Sequence, residues 1–288
     1  MFDFHTHTTY SDGKSTPAEL LAAARKAKLT HIAFTDHDND YAFKEVSAFM
    51  GLERARHIYL GGLTLINGVE FSCRWENMDI HVLALNYPSS APAIEALFAK
   101  QAETRATRNL KIRESLQTCG VDLEFKELQA RTFCERAGRV YFADKLVQAG
   151  IVKNGQRAFK RYLGRTGRAY VRAAWPELAS VVADIIEADG SAVLAHPLKY
   201  KMSRGKLQRL FEDFAIAGGQ ACEAISGKQV NTETERVTRL AEANALKLSL
   251  GSDFHQSGRP WAQLGVAGSL PKHCKPIWQD WSNICIPA

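Results

Sequence analysis

The chain has 288 residues, 45% hydrophobic content and a formal net charge of +6, which fits one large domain or a domain with an insertion and supports a substantial core. No apolar run approaches the roughly 20 residues of a membrane helix, and Met1-Phe2-Asp3-Phe4-His5 lacks the basic and apolar regions of a secretory leader. The six cysteines, at 73, 119, 134, 222, 274 and 285, form no C-x-x-C pair and no disulfide framework; they read as reduced thiols in a cytoplasmic protein.

In chain order, Phe2–His5 reads as a short apolar strand running into His5-Thr6-His7, with Ser11-Asp12-Gly13 close behind. Thr16-Pro17-Ala18-Glu19 opens a helix: Thr16 can cap it, Pro17 suits the first helical position, and Glu19 completes a capping box. Leu20, Leu21, Ala24 and Ala27 then supply its apolar face. His31–Thr35 is a strand that ends at Asp36-His37-Asp38. Leu63–Val69 is a strand followed by Glu70, and Ile80–Leu85 carries His81 near its start.

Residues 96–175 break this rhythm. They hold 17 Lys+Arg against 7 Asp+Glu. Ala96–Leu116 reads as a long helix bearing Arg105 and Arg108, and further helical stretches cover Tyr141–Ala149 and Ala158–Leu163. A basic loop, Gly164 to Tyr170, closes the segment. It is expected to be a mostly helical insertion over the mouth of the main domain. After it come a helix at Glu177–Ala188 and a strand at Ala192–Ala195 that ends at His196. A strand at Ala221–Ile225 and a helix at Thr232–Ala245 follow, and a strand at Leu246–Leu250 ends at Gly251-Ser252-Asp253-Phe254-His255. The tail beyond Pro271, with Trp278 and Trp281, is expected to pack against the main domain.

Strands that alternate with helices imply a parallel sheet. Polar motifs at the ends of successive strands imply a barrel with its site at the C-terminal face. The expected fold is α/β, a (β/α) barrel of fewer than eight strands formed by residues 1–95 and 176–288, with 96–175 inserted. An open doubly wound sheet is the alternative, disfavoured because six strand ends must converge on one point.

Six of the nine histidines lie in these motifs. Histidine with carboxylate is the ligand set of divalent metals such as Zn, Mn and Fe. The candidates exceed what one ion can use and suit two or three ions that share a bridging carboxylate. In H-x-H and D-x-H, alternate residues point to one side of a strand end. A positive segment beside a metal centre favours an anionic substrate.

His5-Thr6-His7, Asp36-His37, Gly68-Val69-Glu70, His196-Pro197 and Ser252-Asp253-Phe254-His255, in that order, resemble the PHP (polymerase and histidinol phosphatase) family. The resemblance runs from Phe2 to about Gly265. Within the family the chain is most similar to the ribonuclease AM and 3′,5′-nucleoside bisphosphate phosphatase group, which it matches at Arg105, Arg108, Gly138-Arg139, Tyr162-Leu163 and Tyr170-Val171.

The resemblance implies a distorted (β/α)7 barrel and metal ligands at His5, His7, Asp12, His37, Glu70, His81, His196, Asp253 and His255. These would hold two or three divalent cations, Mn above Zn or Fe. The expected nucleophile is a metal-bound hydroxide, with His196 or Asp253 able to shuttle a proton. The implied substrates are 5′-phosphorylated RNA or oligonucleotides, cleaved 5′-to-3′, and nucleoside 3′,5′-bisphosphates. No membrane and no obligate protein partner is expected.

Arg139, Arg105 and Arg108 are the candidate phosphate contacts, because a guanidinium matches a phosphate in a bidentate way. Tyr141 stands where relatives often have histidine; it can donate a hydrogen bond but carries no charge. Competing readings are a histidinol-phosphate type phosphatase, a non-catalytic metal-binding module and an amidohydrolase.

Overall fold

Most strands of this protein carry or lead into a polar residue of the motifs described above, and helices separate several of them. The computed structural model describes residues 1–265, 268–281 and 284; Cys285 lies outside the described residues. The chain divides into two compact units, Met1–Leu97 with Pro176–Ala288, and Phe98–Trp175.

The first unit opens with β1 (Phe2–Asp3), α1 (Pro17–Lys26), β2 (His31–Phe34) and α2 (Tyr41–Phe49). Thr16 caps α1, and the reciprocal Glu19 bond to the Thr16 N–H is 2.8 Å long. Leu20 and Ala24 of α1 and Phe43 of α2 pack on Ile32, Phe34 and Leu65. Next come β3 (His57–Tyr59), β4 (Thr64–Trp75) and β5 (Met78–Leu85). All twelve residues of β4 are buried, so it shows no in/out alternation.

Among the described residues the sheet has eight strands. Seven follow the order β1-β2-β4-β5-β6-β7-β8, and β3 pairs beside β4. The later strands are β6 (Ser191–Leu194), β7 (Ala221–Ser226) and β8 (Lys247–Gly251). Helices α7 (Leu178–Glu187), α8 (Arg204–Ile216) and α9 (Asn231–Ala243) precede β6, β7 and β8 respectively. In α8 the buried set Leu207, Leu210, Phe211 and Phe214 repeats at helical spacing.

The sheet nearly closes into a barrel. Phe4 N–H donates to Leu250 O at 3.2 Å, and Thr6 bridges Phe254 in parallel. Trp278 and Trp281 of the C-terminal tail close on Phe4, with ring centroids 5.2 and 5.5 Å apart.

A purely parallel sheet was the expectation, and the sheet is mixed. β4 and β5 form an antiparallel hairpin, β5 and β6 are antiparallel, and β3 runs antiparallel to β4. The hairpin turns at Glu76-Asn77, with Glu76 at φ +49°. β4 also continues six residues beyond Val69. Glu70 therefore sits inside a strand and not after one.

The second unit contains most of α3 (Pro92–Thr118), then α4 (Arg131–Arg136), α5 (Arg139–Gln148) and α6 (Gly155–Ala158) with a π turn at Phe159–Leu163. It has its own core, including Leu116, Phe125, Leu128, Phe142, Leu146 and Tyr162. Its described residues include no strand.

Candidate metal centre

The centre begins where the first and last strands meet. His7 N–H donates to Phe254 O at 2.8 Å, and Asp253 N–H donates to His5 O at 2.9 Å. Thr6 turns the other way and donates its hydroxyl to Ala33 O at 2.6 Å. This alternation sends His5 and His7 to one side. Two glycines make the approach possible. A Cβ at Gly13 would lie 2.3 Å from His7 O, and one at Gly251 would lie 2.3 Å from His5 Cβ.

Asp36 fixes the loop that carries Asp12. It accepts from Thr8 N–H at 2.8 Å, Thr8 Oγ1 at 2.6 Å and Ser11 Oγ at 2.5 Å. Asp38 accepts instead from Ser72 of β4, at 2.6 Å from its N–H and 3.0 Å from its hydroxyl.

All nine residues expected as ligands gather. Glu70 Oε2 lies 3.3 Å from His5 Nε2, 3.3 Å from His7 Nε2 and 3.0 Å from His37 Nδ1. Glu70 Oε1 lies 2.8 Å from His81 Nδ1 and 2.7 Å from His196 Nε2. Asp253 Oδ1 is 3.4 Å from His5 Nε2 and 3.3 Å from His7 Nε2. Asp12 Oδ1 is 3.1 Å from His255 Nε2 and 3.7 Å from His37 Nε2. Four overlapping groups result: His7, Asp12, His37 and His255; His5, His7 and Asp253; His5, Glu70 and His196; His37, Glu70 and His81.

The donor atoms fit divalent cations better than they fit one another. His5 Nε2 and His7 Nε2 are 3.2 Å apart. Asp12 Oδ1 and His37 Nδ1 are buried without a hydrogen bond among the described residues, although Asp12 Oδ1 lies within 4 Å of three imidazoles and His37 Nδ1 lies 3.0 Å from Glu70 Oε2. Nitrogen and oxygen donors in groups of three or four are what Zn, Mn or Fe require.

Electrostatics point the same way. Burial opposes ionisation of Glu70, yet His81, His5 and His37 hold its carboxyl well below the usual range. Asp253 is likewise held low against burial, chiefly by His5 and a His7 hydrogen bond. Burial pushes His37 down to about 3. It opposes the charge on His7 too, but hydrogen bonds that this imidazole donates to Asp253 and Glu70 raise it to about 10. Protons on some imidazoles thus balance buried carboxylates, and cations would displace them.

His196 and Asp253 adopt left-handed backbone, at φ +30° and +55°. Non-glycine residues stay there only when their surroundings fix them, a condition concentrated at functional sites.

Three residues that sequence reasoning passed over belong to this neighbourhood. Lys199 Nζ lies 2.5 Å from Asp253 Oδ2. Asp3 is fully buried and accepts from Ser252 N–H at 2.8 Å and Gly265 N–H at 3.1 Å; burial raises its carboxyl to about 6. Glu223, on β7, lies 3.0 Å from His5 Nδ1. The others were marked by short motifs at strand ends, and Asp3, Glu223 and Lys199 lie in no such motif.

The other expected site residues belong to the second unit. Arg105 and Arg108 are buried and stack on Trp175, at 5.3 and 5.1 Å from its ring centroid. Arg139 opens α5 and lies 5.8 Å over the Phe159 ring. Tyr141 donates its hydroxyl to Glu127 at 2.7 Å and packs edge-on against Phe133. Of the histidines outside the motifs, His31 meets Phe2 edge-on and His273 pairs with Glu242 on the surface at 3.3 Å.

Comparison with known proteins is consistent with this geometry. The PHP domain model matches residues 3–171. A Haemophilus influenzae protein named 5′-3′ exoribonuclease is 33% identical, with 97% of this chain and 98% of that protein covered. A Chromobacterium violaceum protein named 3′,5′-nucleoside bisphosphate phosphatase is 35% identical, with 96% and 95% covered. A solved Chromobacterium violaceum structure, described as an amidohydrolase with bound sulfate and no metal, superposes with a TM-score of 0.82 at 32% identity, covering 96% of this chain and 94% of the other.

Proposed function

The chain belongs to the PHP family, a family of phosphoester hydrolases, and we propose that it releases the 3′ oxygen of nucleotides. Its substrates are 5′-phosphorylated RNA or oligonucleotides, degraded 5′-to-3′ to 5′-monophosphates, and nucleoside 3′,5′-bisphosphates, which lose their 3′-phosphate. The two activities share one chemistry. Water adds to phosphorus, the P–O3′ bond breaks, and a proton passes to the 3′ oxygen.

The observation that carries this reading is Glu70, whose two oxygens face five imidazoles from four stretches of chain. The residues that would hold cations are His5, His7, Asp12, His37, Glu70, His81, His196, Asp253 and His255, and two or three Mn, Zn or Fe ions suit that number of donors. When bound, such ions supply acidified water and positive charge at the phosphate oxygens. Asp36 and the Ser11 hydroxyl keep the Asp12 loop in place. The proton to the 3′ oxygen is assigned to His196 or Asp253, and Lys199 offers an ammonium beside Asp253.

We assign recognition of substrate phosphate to Arg139, Arg105 and Arg108. The segment 96–175 that bears them holds 17 basic and 7 acidic residues. Tyr141 already gives its hydroxyl to Glu127, so charge on the substrate falls to the arginines. The cytoplasm is the compartment proposed, since Cys73, Cys119, Cys134, Cys222 and Cys274 are free thiols. No described helix is long and apolar enough to cross a membrane.

The test is a substrate panel with added Mn: adenosine 3′,5′-bisphosphate, 5′-phosphorylated RNA, the same RNA with a 5′-hydroxyl, and histidinol phosphate. Cleavage of the first two is expected, with the 5′-hydroxyl RNA much poorer. Arg139→Ala should chiefly raise KM. Turnover of histidinol phosphate alone overturns the reading, and indifference to the 5′-phosphate removes the arginine contacts.

A further inference from the structure

Glu223 is the third residue of β7, between Cys222 and Ala224, which are both fully buried; its own exposure is 1%. A carboxylate in such a setting is costly unless its oxygens are satisfied. Both are. Oε1 lies 3.0 Å from His5 Nδ1, and Oε2 accepts the His196 backbone N–H at 2.6 Å. The opposite nitrogen of His5, Nε2, faces Glu70 and Asp253. His196 sends its own Nε2 to Glu70 while its backbone holds a left-handed conformation. The space for this contact is left by Gly251, where a Cβ would come 2.9 Å from Glu223 Oε1.

We propose that Glu223 is a positioning residue of the metal centre. By accepting the Nδ1–H of His5 it fixes the tautomer in which Nε2 presents its lone pair to a cation. With its second oxygen it locks the backbone turn that aims His196 at Glu70. The side chain thus sets one donor from each end of the chain, and touches neither substrate nor ion. A glutamate is specifically required. Two N–H donors converge on two oxygens, whereas glutamine offers one oxygen and an NH₂, and aspartate falls short by a methylene. This assignment rests on the metal-dependent reading given above.

The experiment measures metal affinity directly, by competition with a chromophoric chelator and by metal content after dialysis, using Mn and Zn. Glu223→Gln is expected to bind metal about 10–100-fold more weakly, the usual effect of groups that orient a ligand, with metal-free far-UV circular dichroism close to that of the parent. In a His5→Gln background the share of that loss that runs through the His5 contact should vanish, leaving only the share that runs through the His196 backbone. Parental affinity in Glu223→Gln, or an undiminished loss in the His5→Gln background, overturns the proposal.

Should the variants fail to fold, the Zn-loaded parent decides the matter by long-range ¹H–¹⁵N spectra of its histidines. His5 protonated on Nδ1 supports the proposal, and His5 protonated on Nε2 overturns it. The substrate panel leaves these readouts untouched. A protein whose metal affinity depends on Glu223 but that ignores nucleotides would sink the substrate assignment alone, and a parent that binds no metal would sink both.

Discussion

Glu70 shows how much one side chain is asked to do. It is 1% exposed and lies against His5, His7 and His37 on one oxygen and His81 and His196 on the other. Its glutamine analogue keeps the shape but removes one oxygen and the negative charge. Glu70→Gln is therefore expected to lower bound metal and to cut turnover by more than about 100-fold, beyond what supporting groups usually contribute. Metal content by mass spectrometry, measured beside kcat, checks this; normal values for both would remove Glu70 from the centre. That these side chains gather was readable in the chain because histidine is scarce and recurs at H-x-H and D-x-H spacing. Glu223 and Asp3 were not readable. Each is a single carboxylate in an apolar strand, and only the fold reveals which N–H groups it meets. Lys199 looks like any surface lysine until the turn at His196 brings it to Asp253.

At the level of elements, local chemistry was a good guide where it is self-contained. The box of Thr16 and Glu19 is complete in the structure, since both partners lie within four residues. Thr16→Ala should cost about 1 kcal/mol and lower the melting temperature by roughly 2–4 °C, read by calorimetry with activity unchanged. A shift below measurement would mean that packing of Leu20 and Ala24 alone holds α1.

Strand direction was a poorer inference. β4 is buried along its whole length and so shows no alternation. The turn into β5 uses Glu76 at positive φ without the Asn-Gly or Asp-Gly pair that marks a tight hairpin. β3 has three residues and escaped notice for its length alone. The hairpin matters for the site. β4 supplies Glu70 and β5 supplies His81, and their antiparallel register sets Ser72, two residues on from Glu70, opposite His81. The His81 and Glu70 side chains then meet at 2.8 Å.

Over the whole molecule the net charge of +6 is carried by residues 96–175, where 17 basic residues oppose 7 acidic ones. Binding of a polyanion through such a segment releases counterions. For 5′-phosphorylated RNA, log kcat/KM at limiting substrate should fall linearly with log salt, by about 0.7 for each phosphate neutralised. Adenosine 3′,5′-bisphosphate should show a shallower line. Two parallel lines would mean that the basic segment takes no part in holding RNA.

The donors of the centre run from His5 to His255, and the backbones beside them bond directly, Asp253 N–H to His5 O. A ribosome adding roughly 5–20 residues per second needs on the order of 10–50 seconds to travel between them. During that interval the emerging polypeptide displays half of a chelator. Its first imidazoles wait for carboxylates not yet translated. Ions held by donors from both ends of the chain would therefore be acquired after translation.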